Sequence, residues 1–204
     1  MSLPDVTVAP ASGSIGREED QQLIRAIADR DQSAFGVVYQ KYNRRIYNYL
    51  RHIIQDEVGA EDVLQEVFLA VWQGAARFKQ KSSVKTWIYR IAYKQSITWL
   101  RRHPRKNNQI GLDDVTDEGS SPEEGAISDI RSAQLQKAMA NLTPKHRAVL
   151  ELAFLQEMSY ADIAVILDCP VGTVKSRMSY ALRNLSHRLL LQDVDHKEYS
   201  STEK

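Results

Sequence analysis

Residues 159–185, SYADIAVILDCPVGTVKSRMSYALRNL, have the pattern of a helix-turn-helix. Ser159 is placed to cap the first helix, and Asp162, three residues later, supplies the acid of a capping box. The sequence Asp-Cys-Pro-Val at 168–171 predicts the turn, so the second helix is expected to begin near Pro170. Apolar residues then recur in steps of four, three and four, which predicts a buried stripe made of Val174, Met178, Ala181 and Leu185.

The rest of this second helix is polar and basic. Its donors are suited to base edges and phosphates in a major groove, because the N-terminal end of such a helix can enter the groove. An ordinary helical hairpin with a polar exterior is the alternative. The candidate DNA-binding residues are Thr173, Lys175, Ser176, Arg177, Tyr180 and Arg183.

The first half of the chain has helical periodicity as well. No proline occurs between Pro10 and Pro104, and apolar residues recur every three or four positions. This spacing predicts a helical bundle over residues 21–106. The sequence therefore predicts an all-α protein with two small helical domains, of which the C-terminal one, at 126–190, is the helix-turn-helix.

Charge is distributed unevenly along the chain, although its formal net charge is only +1. Residues 21–106 carry +9, residues 107–130 carry −7 and residues 131–192 carry +4. The polar, aperiodic stretch 107–125 predicts a flexible acidic linker, and residues 1–20 and 191–204 are expected to be disordered. Two basic blocks favour a polyanionic partner, and solvated faces are the alternative explanation.

Several classes of function have no support in the sequence. There is no run of about eighteen apolar residues, and the N-terminus lacks the basic start and apolar core of a secretory signal. Cys169 is the only cysteine, and the five histidines are scattered without the spacing of metal ligands. We therefore expect a cytoplasmic protein without membrane insertion, catalytic residues, metal or cofactor.

Three blocks, in order, resemble one protein family. Residues 160–177 are similar to the C-terminal domain of extracytoplasmic-function sigma factors of bacterial RNA polymerase. AEDVLQEVFLAVW at 60–72 resembles their polymerase-binding helix. TWIYRIA at 86–92, followed by WLRR at 99–102, resembles their −10 helix. The resemblance covers roughly residues 21–106 and 131–190, and it implies a sigma factor that binds core polymerase and recognises duplex −35 and melted −10 DNA.

The resemblance assigns a polymerase-binding role to one helix face. Asp62, Gln65 and Glu66 share that face because they lie at i, i+3 and i+4. Together with Phe68, they are expected to meet the clamp helices of the largest polymerase subunit. A solvated acidic face is the alternative. The resemblance also implies the flap of the second subunit, promoter DNA and an anti-sigma factor as partners.

Melted −10 DNA calls for stacking surfaces and positive charge. The resemblance makes 79–85 the loop that captures a flipped base, and Trp87, Tyr89 and Tyr93 are candidate rings on the DNA side. The helix that follows offers cations to phosphates. The expected −10 residues are Lys79, Gln80, Lys81, Ser82, Ser83, Lys85, Trp87, Arg90 and Lys94, and the helix-turn-helix residues given above become the expected −35 set.

The chain departs from the family pattern at a few positions. Asp168 stands where a glycine is usual after the first helix of the helix-turn-helix, so it must adopt a left-handed conformation. Lys94 stands where many members have Asn, and Val84 where an aromatic residue often precedes Lys85. These changes bear on sequence preference and leave the predicted fold unaltered.

Two other classes of function compete with this interpretation. A two-domain transcriptional regulator would use the N-terminal bundle for sensing or dimerisation and bind duplex DNA alone. A helical-bundle enzyme is the second alternative, but no phosphate loop, metal set or nucleophile arrangement supports it.

Overall fold

The computed structural model describes residues 15–104, 139 and 141–199. Within these residues the regular structure is helical, which confirms the predicted all-α fold, and the linker predicted at 107–125 lies outside them. A 3₁₀ turn at Ala75–Arg77 follows the third helix, and a π-helical turn at Glu151–Leu155 follows the fifth. The helices are α1 (Ile15–Ala28), α2 (Gln32–Ile54), α3 (Glu57–Gly74), α4 (Val84–Arg102), α5 (Pro144–Leu150), α6 (Tyr160–Leu167) and α7 (Val171–Tyr199).

Short polar side chains begin the helices of the N-terminal bundle. The Asp31 carboxylate accepts from the backbone N–H groups of residues 33 and 34, and the Asp56 carboxylate accepts from that of Gly59. Such caps satisfy backbone donors that have no partner inside the helix. The core of the bundle is formed by fully buried side chains of α2, α3 and α4, among them Ile46, Leu50, Val63, Val67 and Ile88.

The N-terminal bundle begins earlier than the sequence suggested. Helix α1 starts at Ile15, so the expectation of disorder throughout 1–20 is wrong for its last residues. Asp20 explains the difference, because its buried carboxylate accepts from Lys41 Nζ and from the Tyr42 hydroxyl, each at 2.5 Å. Burial and this carboxylate together raise the pKa of Tyr42, so the hydroxyl stays a donor.

The helix-turn-helix is formed by α6 and α7. Ser159 Oγ accepts from the Asp162 N–H at 3.1 Å and donates to the Asp162 carboxylate at 2.6 Å, so the predicted acid contacts the capping hydroxyl instead of the backbone. All four residues of the predicted stripe on α7 are buried. Helix α7 continues to Tyr199, whereas disorder was expected from residue 191; no proline or glycine follows Gly172 to end it.

The two helical units contact each other. Helix α6 packs on α4, and α5 packs on α2. This arrangement places the turn of the helix-turn-helix next to the helix expected to bind −10 DNA.

Candidate protein-docking and nucleic-acid interfaces

A groove with an acidic wall on α3 lies between α3 and α4. Asp62, Gln65 and Glu66 are exposed side by side on α3, as their spacing predicts. Leu69 extends the same face by one turn, and its side chain is 55% exposed. We call the whole set the docking groove; it is lined by Asp62, Gln65, Glu66, Leu69, Trp99, Arg102 and His103.

Phe68 does not belong to this groove. Phe68 is 3% exposed, and its ring packs edge-on against Phe35 at 6.3 Å and at a tilt against Tyr39 at 4.7 Å. The expectation that Phe68 faces the polymerase is therefore wrong for this structure. At about 100° per residue around the α3 axis, position 68 points well away from Asp62, whereas position 69 lies on the same face as Asp62. The exposed apolar member of the face is Leu69.

The far wall of the groove depends on a close helix crossing. A Cβ added at Gly59 would lie 2.3 Å from the ring of Trp99, so only glycine allows α3 and α4 to approach this closely at that point. The Trp99 ring also stacks on His103 at 4.3 Å. Sequence reasoning missed this wall, because nothing local to Gly59 indicates a partner forty residues away.

Some side chains of the loop at 79–83 are exposed, and others form hydrogen bonds within the protein. Lys79, Gln80 and Lys81 are exposed, and the Gln80 amide lies 3.4 Å from the Arg25 guanidinium. Ser83 is different, because its hydroxyl accepts from the Thr86 N–H at 3.0 Å and caps α4. The expectation that Ser83 offers its hydroxyl to a base is therefore not met here. Ser82, half-buried, donates to the Ser83 carbonyl at 3.3 Å.

The cations of α4 have different surroundings. Lys94 is exposed, whereas Lys85 Nζ donates to the Gln156 carbonyl at 2.6 Å. Arg90 pairs with the Asp168 carboxylate at 3.3 Å. Burial lowers the pKa of Lys85, and the nearby positive charge of Arg45 lowers it further. Lys85 and Arg90, two of the expected −10 residues, thus contact the C-terminal unit.

The candidate rings of α4 are covered. Trp87 is half-buried against Phe78, with ring centroids 4.8 Å apart. Tyr89 and Tyr93 are buried, so the expectation that they face DNA is not met in this arrangement. Tyr89 packs edge-on against Tyr49 at 5.3 Å. Burial raises the pKa of Tyr89, and its protonated hydroxyl donates to Gln156 Oε1 at 2.5 Å.

Most of the candidate −35 residues share one face of α7. At about 100° per residue, five of the six fall within roughly a third of the helix circumference, while Lys175 lies outside that arc, about 80° from its nearest member, Arg183. The five are exposed or half-exposed, and we call them the recognition face: Thr173, Ser176, Arg177, Tyr180 and Arg183.

Two contacts hold the recognition face in place. Arg177 Nη1 lies 3.6 Å from the Cys169 sulfur, at the turn. The Tyr180 ring stacks on His146 of α5, with centroids 4.4 Å apart. Burial, and then the charge of Arg177, lower the pKa of His146, which favours the neutral form of this imidazole. Sequence reasoning missed His146, which lies on a different helix.

Neither metal ligands nor a membrane span is found in the part of the chain that the structure describes. No group of three or more His, Cys, Asp or Glu side chains there could hold an ion. No helix there combines the length and apolar character that crossing a bilayer requires.

Two family models match the chain. "Sigma-70 region 2" matches residues 38–106, and "Sigma-70, region 4" matches residues 132–185. The first match includes α3, the 79–83 loop and α4, and the second includes the helix-turn-helix.

Curated relatives match over most of their length. The chain is 31% identical over 172 residues to the RNA polymerase sigma-H factor of Pseudomonas aeruginosa. The matched residues cover 79% of this chain and 89% of that protein. It is 32% identical over 173 residues to the ECF RNA polymerase sigma factor RpoE of Cereibacter sphaeroides, covering 82% and 93%.

Solved structures share the fold. CnrH, in complex with the cytosolic domain of CnrY, superposes with a TM-score of 0.64 at 22% identity, covering 87% of this chain and 99% of that one. The sigma factor RpoE of Bartonella quintana, in complex with the anti-sigma factor NepR, superposes with a TM-score of 0.63 at 21% identity, covering 76% and 96%.

Proposed function

Because the chain belongs to the extracytoplasmic-function sigma factors, which act with RNA polymerase in promoter-specific transcription initiation, we propose that its N-terminal bundle recognises melted −10 DNA and its helix-turn-helix recognises duplex −35 DNA. No catalytic family matches, and its role is that of a DNA-binding transcription factor. A protein of this kind works in the cytoplasm, where polymerase and promoter DNA are.

The docking groove is our candidate for the polymerase contact. Asp62, Gln65, Glu66 and Leu69 lie at i, i+3, i+4 and i+7, so one face of α3 presents two carboxylates, an amide and an exposed apolar side chain. Such a face is complementary to a basic surface with an apolar centre, and we assign that surface to the clamp of the largest polymerase subunit. This continuous face is the observation that carries the polymerase assignment.

We assign discrimination at the −10 element to residues 79–85, of which 79–83 form the loop before α4 and the last two begin the helix. The exposed Gln80 side chain offers an amide, which can pair with the edge of one unstacked base. Lys79 and Lys81 flank it and add attraction for phosphates. Further along, Arg90 and Lys94 of α4 would hold phosphates of any sequence, so they would supply affinity and salt dependence instead of specificity.

The recognition face is our candidate for −35 readout. Arg177 is the residue on this face best suited to bidentate pairing with a guanine, and Arg183 lies about 1.7 turns further along α7, where we assign it to the DNA backbone. Lys175 lies on a different side of α7, so we assign it to a phosphate. The flap of the second polymerase subunit is the proposed protein partner of this domain.

An anti-sigma factor is the proposed regulator. CnrH is seen with the cytosolic domain of CnrY, and the Bartonella RpoE is seen with the anti-sigma factor NepR. Because this chain shares their fold, we propose that it too is held by a dedicated inhibitory protein.

Transcription in vitro tests the proposed function. Core polymerase with this protein should initiate on a subset of a promoter library, and core polymerase alone should not. Grafting residues 79–85 from a sigma factor with another −10 preference should transfer that preference between promoters that differ only in the −10 element. The matched control is a graft of residues 86–100.

Two outcomes would contradict these assignments. If preference moves only with the 86–100 graft, the loop is not the discriminator, and Lys94 becomes the first residue to test. If the protein binds palindromic duplex DNA but supports no initiation with core polymerase, it is a two-domain regulator of the kind considered above.

A further inference from the structure

A histidine on α5 contacts the recognition face of α7. The His146 ring stacks on the Tyr180 ring, with centroids 4.4 Å apart and planes inclined by 29°. One face of the Tyr180 ring is therefore covered, although 49% of the residue remains exposed. Rings at this distance attract each other, so the stack favours one orientation of Tyr180 over the others that its χ1 angle allows.

The histidine is itself held by the start of its own helix. Its Nδ1 lies 2.9 Å from the Thr143 hydroxyl, and its backbone N–H donates to the Thr143 carbonyl at 3.0 Å. Val149, which follows on the same short helix, is fully buried and anchors α5 in the core of the domain. Burial lowers the pKa of His146, and the neutral ring that this favours can lie near the charge of Arg177 without repelling it. His146 is thus a fixed support on the surface of the domain.

Tyr180 differs in chemistry from the rest of the recognition face. The other four side chains carry hydroxyl or guanidinium groups, which pair with the hydrogen-bonding groups of bases and with phosphates. Tyr180 is the one of the five that presents a large apolar surface. In the major groove, the apolar group that distinguishes a base is the C5 methyl of thymine, and apolar side chains read it by contact. The Tyr180 ring is therefore suited to recognise a thymine.

The position of Tyr180 on α7 predicts where that thymine lies. Tyr180 follows Arg177 by three residues, so the two side chains are neighbours on one face, about 4.5 Å apart along the helix axis. Neighbouring base pairs are about 3.4 Å apart. If Arg177 pairs with a guanine, as proposed above, the methyl group should lie within about two base pairs of that guanine.

We propose that His146 is a positioning residue for promoter recognition: by stacking on Tyr180, it holds that ring where it contacts the methyl group of a thymine in the −35 element. The proposal rests on the −35 function proposed above for the recognition face. A ring that is already ordered loses less freedom when DNA binds, and such preorganisation raises the affinity for the correct sequence. His146 acts through Tyr180 and not through a DNA contact of its own.

Replacement of thymine by deoxyuridine tests the methyl contact, because the two bases differ in that methyl group only. Holoenzyme reconstituted from core polymerase and the full chain is bound to a promoter on which it initiates, with each −35 thymine replaced in turn. The wild type should lose about fourfold in affinity at one position, the effect of one buried methyl group, and Tyr180→Ala should lose none there. Equal affinity of the wild type for thymine and uracil at every position overturns the proposal.

Variants of His146 test the positioning. His146→Ala frees the Tyr180 ring to exchange among staggered χ1 positions, so the affinity ratio between thymine and uracil should fall below about twofold. His146→Phe keeps an aromatic partner and should restore the wild-type ratio. In a Tyr180→Ala background, His146→Ala should have no further effect on the ratio. Lys145→Ala, an exposed change in the same turn of α5, is the matched control and should leave the ratio unchanged.

A measurement on the free chain separates failure of this proposal from failure of the proposed function. Three-bond coupling constants of Tyr180, measured by nuclear magnetic resonance, should report a single χ1 rotamer in the wild type and in His146→Phe, and rotamer averaging in His146→Ala. If His146→Ala folds poorly, His146→Gln takes its place. A single rotamer in the variant without the ring, or an undiminished ratio of affinities, overturns the positioning.

Failure of the proposed function gives a different result. If the holoenzyme initiates at no promoter, the −35 assignment fails and the promoter role of His146 fails with it. The coupling constants then still decide whether His146 orders the Tyr180 ring, because they are measured without DNA or polymerase.

Discussion

Asp168 closes α6 in a conformation that L-amino acids seldom adopt, and its replacement tests the local energetics of the helix-turn-helix. Its φ and ψ are 52° and 52°, and its N–H donates to the Ala164 carbonyl. The next N–H, of Cys169, also reaches that carbonyl at 3.1 Å. The turn therefore requires a left-handed residue at 168, where glycine is the usual choice. Asp168→Gly keeps the turn and removes the steric conflict of the Cβ.

The expected gain in the free energy of unfolding is modest, because relief of the left-handed strain is partly offset by the chain entropy of glycine. A left-handed L-residue costs roughly 1–2 kcal/mol, and Asp is among the residues that tolerate this region best. Glycine loses more chain entropy on folding, by about 0.5–1 kcal/mol. The ion pair with Arg90 is lost, but its side chains are 38% and 71% exposed, so it contributes little. We expect Asp168→Gly to stabilise the C-terminal domain by about 0.5 kcal/mol.

Two companion variants separate the effect of the Asp168 charge from that of its Cβ in the left-handed conformation. Asp168→Asn keeps the tolerance for the left-handed region and removes the charge, so it should lie within about 0.5 kcal/mol of the wild type. Asp168→Ala keeps the Cβ conflict and removes the polar group, so it should be less stable by about 0.5–1 kcal/mol. Urea unfolding followed by circular dichroism gives the ranking, with exchange of the α6 amide protons to place the change in this domain. An alanine variant as stable as the glycine variant would refute the reasoning.

Three further changes test other parts of the structure. Glu66→Lys reverses a charge in the docking groove, so competition for core polymerase should weaken while the melting temperature stays unchanged; equal competition by the variant would remove Glu66 from the contact. Arg177→Ala should cost about 1–3 kcal/mol of binding, mainly on the cognate −35 sequence, whereas an equal loss on every sequence with a shallower salt slope would identify a phosphate contact. Gly59→Ala places a methyl group 2.3 Å from the Trp99 ring. Alanine favours the helix by up to about 1 kcal/mol, but overpacking should lower the stability by about 1–3 kcal/mol and dominate. The fluorescence of Trp99 should shift as well. A more stable Gly59→Ala variant with unchanged fluorescence would show that α3 and α4 separate easily.

The local features of this protein could be read from its sequence. The helix start at Ser159, which the capping pattern predicts, depends on a side chain within three residues of the backbone group it satisfies. The buried stripe of α7 follows from apolar spacing in one helix, and the left-handed turn at Asp168 follows from the motif. Each of these is determined over a few turns of chain, where geometry is nearly fixed. The family was indicated by the resemblance of three short blocks in order, and the matching family models show it.

The burial of particular side chains was decided by tertiary structure. Phe68 and Leu69 are adjacent apolar residues at the edge of one stripe, and only the positions of Phe35 and Tyr39 on α2 determine which of the two is covered. The close crossing of Gly59 and Trp99 is equally a property of two helices that are distant in sequence.

The packing of the helix-turn-helix domain on α4 was also beyond the reach of the sequence. Gln156 and Asp162 are ordinary polar residues in a loop and a first helical turn, and nothing near them indicates Lys85, Tyr89 or Thr86 as partners. Hydrophobic periodicity reports which face of a helix is buried, but not which surface covers it. Contacts between elements separated by some seventy residues depend on the relative placement of whole domains, and this placement, which covers part of the proposed −10 surface, appears only in the tertiary structure.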